Sequence, residues 1–223
     1  MPHWCARFAG VPVATACCRT GGFVPSEPLL QIAFLTGQSD PGRCALSEEQ
    51  RLFLQQLRGH GRRLLDCNYP YRPDGAAHRR VPLWRASAAN ARQYLAARSS
   101  PVAPPERAAV ITQLEPVSLT LLLVGSCGLQ LLAALHLSAP LRARVAVFAY
   151  GPVASSVAPF EQQCIVQGRR DWISRALYRG PVDMQPACGH MDYLRDSTVL
   201  AACQAFASEV EQAGRRGQTC ASI

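Results

Sequence analysis

Apolar residues follow two different patterns along the chain, and these patterns separate the predicted strands from the predicted helices. Short continuous apolar runs indicate buried strands, whereas apolar residues three or four positions apart indicate helices. The predicted strands are Leu29–Gly37, Arg62–Tyr71, Ser118–Val124, Ala143–Tyr150, Gln163–Gln167 and a short run before Pro186. The predicted helices are Ser47–Gly61, Leu83–Ser100, Pro104–Pro116, Gly128–Leu137, a helical start within 171–178, and Ser197–Gly214.

The helix beginning near Ser47 shows how the pattern sets its bounds. Ser47 precedes two glutamates, which suits an N-cap followed by an acidic first turn. The next apolar positions include Leu52 and Leu57, and Gly61 is predicted to close the helix.

Strands and helices alternate, and the strands are apolar enough to be buried on both faces. This order predicts an α/β fold, a mostly parallel sheet with helices on both faces. The length of 223 residues suits a single domain over 1–223, with a poorly readable segment at 1–28. That segment lacks a clear basic leader and cleavage site, so no signal peptide is expected.

The charge pattern changes this picture little. The formal charge is +8, and all 23 basic residues are arginine, as a GC-rich genome would produce; the alternative is a basic surface for an anionic partner. The arginines are scattered without interleaved aromatic residues, so no nucleic-acid partner is expected. The longest apolar stretch, Val117–Leu137, is interrupted by glycine, glutamine and histidine, so no membrane span is expected.

Ten cysteines raise the question of disulfides or a metal site. Their spacings form no dense framework and contain no Cys-x-x-Cys pair, so a structural zinc site is not expected. Free thiols in the reducing cytoplasm are the expected state.

The stretch LLLVGSCGLQLLAAL, Leu121 to Leu135, joins the most apolar strand directly to a helix. Such a turn can hold a nucleophile above the sheet at the helix N-terminus, provided that small residues lie two positions before and after it. With Ser126 as nucleophile, Gly128 fits but Val124 does not. With Cys127 as nucleophile, Gly125 fits but Leu129 does not, which is the worse departure. A turn without chemistry is the third interpretation.

Two later loops carry the partners that a nucleophile needs. Asp171 lies just past the strand that ends near Gln167, where it can also cap the following helix. His190 follows Gly189 in a loop before the last helix. Ser126, Asp171 and His190 therefore follow successive predicted strands in the order nucleophile, acid and histidine. An acid can orient an imidazole that takes the hydroxyl proton.

The segments LLLVGSCGLQLL, IVQGRRDWI and ACGHMDYL resemble the nucleophile elbow, acid turn and histidine loop of the α/β-hydrolase superfamily. The resemblance extends from about Leu29 to the C-terminal helix and implies a three-layer sandwich. It also implies an oxyanion hole formed by the backbone N–H of Cys127 and that of Gln38 or Gly37. The sequence has Thr36-Gly37-Gln38 where the family often has His-Gly.

Few residues separate Tyr150 from the next strand, so no helical lid is expected at the place where the family often inserts one. The loop from Tyr69 to Ala77 and the helices after it are the expected cover. Tyr69 and Tyr71 are either pocket walls or ordinary packing residues.

These observations give three hypotheses. The first is a serine hydrolase that cleaves a carboxylic ester or thioester, a small molecule or an acyl chain on an acyl carrier protein or coenzyme. This hydrolase chemistry implies no metal or organic cofactor. The second keeps the fold but uses Cys127 as nucleophile, as in a hydrolase or acyltransferase. The third is a binding or accessory protein without catalysis.

Overall fold

The computed structural model describes residues 30–40, 43–73, 75, 77–155 and 158–220, with the main chain alone at 217–220. The predicted segment 1–28 lies outside the described residues. The strands are β1 Leu30–Thr36, β2 Arg62–Leu64, β3 Thr120–Gly125, β4 Val145–Tyr150 and β5 Gln162–Val166. The helices are α1 Glu48–Gln55, α2 Leu83–Ser99, α3 Pro104–Leu114, α4 Gly128–Ala134, α5 Ala139–Ala143, α6 Trp172–Leu177 and α7 Ser197–Cys220.

The five strands form one sheet in the order β2-β1-β3-β4-β5, and every neighbouring pair is parallel. Strand β3 occupies the centre, where Gly125 pairs with Thr36 of β1 and with Tyr150 of β4. Because the strands are parallel, their carboxyl ends meet at one edge of the sheet, which is where open α/β sheets hold their sites.

Successive residues of a strand face opposite sides of the sheet. Leu121 and Leu123 pack with α1 and α7, whereas Leu122 and Val124 pack with α3 and α4. This explains why β3 is a continuous apolar run, since both of its faces are buried. The predicted α/β fold is confirmed: a parallel sheet lies between helices on both faces, in three layers.

The helix after Ser47 is shorter than predicted. Ser47 caps it and forms a reciprocal capping box with Gln50, but α1 ends at Gln55 instead of reaching Gly61. The N–H of Gln56 is shared between the carbonyls of Leu52 and Phe53, so the last turn tightens and the helix stops. Helix α5 was not predicted.

The predicted short strand before Pro186 is wrong. It amounts to a single parallel bridge between Val166 and Met184. The Asp183 carboxylate accepts the N–H of Ile165 at 2.8 Å, so a side chain takes part of the bonding that a further strand would supply. His190 therefore follows a loop, although that loop is still tied to the end of β5.

Candidate active site

Ser126 lies in the two-residue turn between β3 and α4. Its φ is +51°, in the left-handed region that non-glycine residues seldom adopt. The main chain holds it there, because Ser126 N–H donates to the Tyr150 carbonyl at 3.4 Å and Val153 N–H donates to the Ser126 carbonyl at 2.8 Å. Strained turns of this kind are concentrated at functional sites, and a strained strand-to-helix turn is the geometry of a nucleophile elbow.

Gly128 makes the close approach of helix and strand possible. A Cβ atom at this position would lie 2.0 Å from the Leu35 carbonyl oxygen of β1, so any side chain would push α4 away from the sheet. Val124, the larger residue two positions before Ser126, is buried in β3. The small residue after the serine is therefore the sterically required one in this turn.

Cys127 has a different environment from its neighbour. Its side chain is buried, and its Sγ lies 2.5 Å from the position that a Cβ of Gly37 would take. Burial raises the pKa of the Cys127 thiol to about 12, which keeps it protonated at neutral pH. This geometry favours Ser126 over Cys127 as the more reactive side chain of the turn.

Asp171 and His190 are brought together at the same edge of the sheet. His190 Nδ1 lies 2.9 Å from Asp171 Oδ2, and the Asp171 side chain is fully buried. Tyr193 donates its hydroxyl to the same Asp171 oxygen at 2.7 Å, and the N–H of Ser174 donates to the other oxygen at 2.9 Å. Asp171 therefore caps α6 and binds the imidazole at once.

The protonation state of Asp171 follows from two opposing effects. Burial by itself would raise the pKa of this carboxyl group. Hydrogen bonds from His190, Ser174 and Tyr193 favour the charged form more strongly and leave the pKa of Asp171 below its ordinary value. The carboxylate thus stays ionised and fixes the orientation of the His190 ring.

The Ser126 hydroxyl and His190 are not hydrogen-bonded to each other within the described part of the chain. Both lie at the carboxyl edge of the sheet, one after β3 and the other after the β5 bridge. Hydrogen bonds between nucleophile and base are often long without substrate. The structure thus places the three groups at one edge of the sheet, but the hydrogen bond between Ser126 and His190 is not formed.

The expected oxyanion donors lie after β1 and at the start of α4. The Gln38 N–H is already engaged, because it donates to Gln93 Oε1 of α2 at 2.7 Å. Gln93 Nε2 in turn donates to Gln38 Oε1 at 3.0 Å, so the two amides form a reciprocal pair. Helix α2 therefore covers one of the two places at which a carbonyl oxygen could bind.

A cleft of about 590 Å³ runs along this edge. His190 and the Thr36–Gln38 turn line it, whereas Ser126 and Asp171 do not. The charged residues of its lining are Arg43, Arg51, Arg79, Arg80, Arg195, Asp40, Glu48 and Glu49. Asp40 pairs with Arg79 at 3.3 Å, and Glu49 pairs with Arg195.

Two tyrosines considered as pocket walls are packing residues. Tyr69 is buried and donates to Glu106 at 2.7 Å, while Tyr71 is buried and donates to the Phe34 carbonyl at 2.9 Å. Sequence reasoning did not single out Tyr193 or Gln93. Tyr193 lies three residues after His190, and its hydroxyl could have been recognised as a possible donor to the acid. No feature of the sequence links Gln93 to Gln38.

No cluster of metal-binding side chains occurs among the described residues. Within the same residues, no helix is long and apolar enough to cross a membrane. Among the described residues, free thiols are carried by Cys67, Cys127, Cys164, Cys188 and Cys203, and all of these except Cys67 are buried.

No protein-family model matches this sequence, and no curated protein is significantly similar to it. Among solved structures, the chain is similar to a protein of unknown function from Agrobacterium tumefaciens that is named as a candidate α/β hydrolase. The identity is 13%, the TM-score is 0.46, and the match covers 82% of this chain and 86% of the other. It is also similar to a lidless α/β serine hydrolase from Xanthomonas campestris, with 17% identity, a TM-score of 0.42, and coverage of 86% and 84%.

Proposed function

We propose that this chain is a serine hydrolase that cleaves a carboxylic ester or thioester through an acyl-enzyme on Ser126. The observation that carries the proposal is the 2.9 Å contact between His190 Nδ1 and the buried Asp171, at the sheet edge that also holds the strained Ser126. In chain order and position, these groups match the requirements of a nucleophile, an orienting acid and a general base.

The mechanism assigns one role to each group. His190 takes the hydroxyl proton through its free Nε2 as Ser126 Oγ attacks the acyl carbon, and it then gives the proton to the leaving group. Asp171 holds the imidazole in the tautomer with Nδ1 protonated. Water activated by the same histidine hydrolyses the acyl-enzyme.

Negative charge on the carbonyl oxygen needs preorganised donors. We assign these to the backbone N–H of Cys127 and that of Gln38 or Gly37. Because Gln93 accepts the Gln38 N–H, this assignment requires Gln93 to move before that donor can bind substrate.

The lining of the cleft bears five arginines and three carboxylates, which supports an anionic substrate. We therefore propose an acyl thioester on a coenzyme or an acyl carrier protein as the preferred substrate class. Free thiols support a reducing compartment such as the cytoplasm as the place of action.

A second candidate is a binding protein of the same fold without catalysis. The occupied Gln38 N–H favours it, because an oxyanion hole filled by Gln93 cannot stabilise an intermediate. The Cys127 hypothesis gains no such support, since the thiol is buried and protonated.

The direct test measures hydrolysis of p-nitrophenyl butyrate and of butyryl-coenzyme A by the wild type and four variants. We expect Ser126→Ala and His190→Ala to lose on the order of 10³-fold or more in kcat/KM. Cys127→Ala should stay close to wild type. Ser118→Ala is the matched control, since this exposed serine lies just before the opposite end of β3.

A KM for butyryl-coenzyme A that rises in Arg79→Gln and in Arg80→Gln would support the anionic substrate class, and a KM unchanged in both variants would contradict it. Folded wild type that cleaves neither compound would favour the binding protein. If Cys127→Ala loses activity and Ser126→Ala retains it, the nucleophile is Cys127 and not Ser126.

A further inference from the structure

Helix α2 turns polar amides toward the protein. Gln93 pairs with Gln38, and Asn90 Oδ1 lies 2.6 Å from the position that a Cβ of Gly37 would take. Asn90 Oδ1 is buried without a hydrogen-bond partner among the described residues. Ala89 is the helix's fully buried apolar side chain. Tyr94 and Ala97 are also partly buried against the core, so the inner side of α2 is mixed, with its two amides next to the Gly37–Gln38 turn.

The opposite side of α2 is apolar and open to solvent. Trp84, Ala88, Ala91 and Leu95 recur three or four residues apart and so share one side of the helix. Trp84 is 69% exposed and Leu95 is 58% exposed. We call these four residues the outer face. A tryptophan and a leucine exposed on one helix side form one contiguous apolar patch, the type of surface that interaction sites use.

The outer face lies in a strongly basic segment. Residues 77–105 contain five arginines and no aspartate or glutamate. Arg85 lies with its guanidinium carbon 5.2 Å from the centre of the Trp84 ring, so cation and aromatic ring share one edge of the face. Arg92 follows one helical repeat later on the same side. Such a combination favours a partner that is both apolar and negatively charged.

The size of the outer face helps to select the partner. A 17-residue helix is about 25 Å long and about 10 Å wide, which gives a contact of roughly 250 Å². A stable protein pair buries about 800 Å² on each side. A helix with arginines beside a tryptophan and a leucine needs only its own face to lie in a lipid surface, where anionic headgroups attract the arginines.

We propose that the outer face of α2 docks on an anionic lipid surface. The outer face is distinct from the cleft that His190 lines, to which α2 contributes Leu83 and Ala86 at its start. The inference concerns binding, so it is independent of whether the chain hydrolyses esters.

The test is co-sedimentation of the full chain with vesicles of phosphatidylcholine alone or of equal parts phosphatidylcholine and phosphatidylglycerol. We expect binding to the anionic vesicles only, and weaker binding as salt is added. Trp84→Ser and Leu95→Ser should each lose binding. The Arg85→Gln/Arg92→Gln double variant should weaken it on the order of tenfold.

Leu52→Ser is the matched control. Leu52 is 56% exposed, close to Leu95, but it lies on α1 at the other face of the sheet. Its replacement should leave vesicle binding unchanged. Because all substituted side chains are exposed, loss of folding is not expected, and circular dichroism verifies this.

Four results would overturn the proposal. The wild type could fail to sediment with anionic vesicles, or Leu52→Ser could weaken binding as much as Leu95→Ser. Light scattering could find a dimer that Trp84→Ser dissociates, which would assign the outer face to a second copy of the chain. Binding to an acidic acyl carrier protein but not to vesicles would assign it to a protein partner.

Discussion

Asp171 binds three donors from two parts of the chain, in a position closed to water. One carboxylate oxygen faces His190 and Tyr193, and the other accepts the N–H of Ser174. Tyr193 is itself fixed, because its hydroxyl accepts the N–H of Gly168 at 2.7 Å. A buried charge held by this many donors is stabilised in one orientation, which in turn sets the plane of the imidazole.

This network predicts a specific pH dependence of stability. Because the folded pKa of Asp171 is below its unfolded value of about 3.9, the folded state binds fewer protons, and its stabilisation is complete above about pH 5. It is lost as the pH falls through the folded pKa. Urea unfolding should therefore find Asp171→Asn less stable than wild type at neutral pH, with the difference shrinking below about pH 4.

The control for this comparison is Asp66→Asn, which neutralises an exposed carboxylate in the loop after β2. It should cost little stability at any pH. A difference between wild type and Asp171→Asn that stays constant from about pH 3 to pH 6 would contradict the ionised, hydrogen-bonded carboxylate.

The thiols predict a second residue-level result. Burial raises the pKa of Cys127 and of Cys164 to about 12, and that of Cys67 and of Cys188 to about 11. Thiolate is the form that reacts with alkylating reagents, so little of it is present at mild pH. We expect esterase activity to survive iodoacetamide at about pH 8. Inactivation prevented by Cys127→Ala would contradict the assignment of Ser126.

Among the helices, α4 depends on one glycine for its position. Gly128→Ala would place a methyl group 2.0 Å from the Leu35 carbonyl oxygen, and a backbone atom of β1 cannot rotate away. We expect a loss of about 1–3 kcal/mol or more in the free energy of unfolding, with reduced activity as the turn at Ser126 opens. Urea unfolding measures the change.

Gly214→Ala serves as the matched control. Its new Cβ would lie 3.0 Å from Leu119 Cδ2, the end of a flexible side chain, and alanine favours the helix by up to about 1 kcal/mol. It should be neutral or slightly stabilising. Gly128→Ala with wild-type stability would show that α4 does not need its close approach to β1.

Helix α2 carries a prediction about activity. If Gln38 N–H is an oxyanion donor, Gln93→Ala frees it from its acceptor at 2.7 Å. We expect kcat/KM for p-nitrophenyl butyrate to rise by a factor of about 2–10, the value of one hydrogen bond. Gln93→Glu keeps an acceptor oxygen but adds a negative charge beside the developing oxyanion, so we expect its rate to fall below that of the wild type. A fall in activity for Gln93→Ala would instead make Gln93 a residue that positions the Gln38 turn.

At the scale of the whole molecule, the sheet was predictable because burial on both faces leaves a strong mark on the sequence. Strands β1, β3 and β4 are uniformly buried, and their apolar runs gave their bounds to within one or two residues. The run before Pro186 was wrongly predicted as a strand. The side chain of Asp183 accepts a hydrogen bond from the edge of β5 there, and no strand forms.

The candidate site could be predicted from the sequence only in part. Chain order indicated Ser126, Asp171 and His190, and the structure brings the last two into contact. The contacts of Gln93 with Gln38 and of Tyr193 with Asp171 join distant parts of the chain through polar side chains. Such contacts follow no periodic pattern, so they become visible only once the fold is known.

The most direct test of the central claim is labelling with a fluorophosphonate, read by intact mass. The panel is the wild type, Ser126→Ala, Cys127→Ala and His190→Ala. We predict one adduct on the wild type and on Cys127→Ala, and none on Ser126→Ala or His190→Ala, because the probe reacts with an activated serine hydroxyl. Folded wild type without an adduct, or an adduct that persists in Ser126→Ala, would contradict the account.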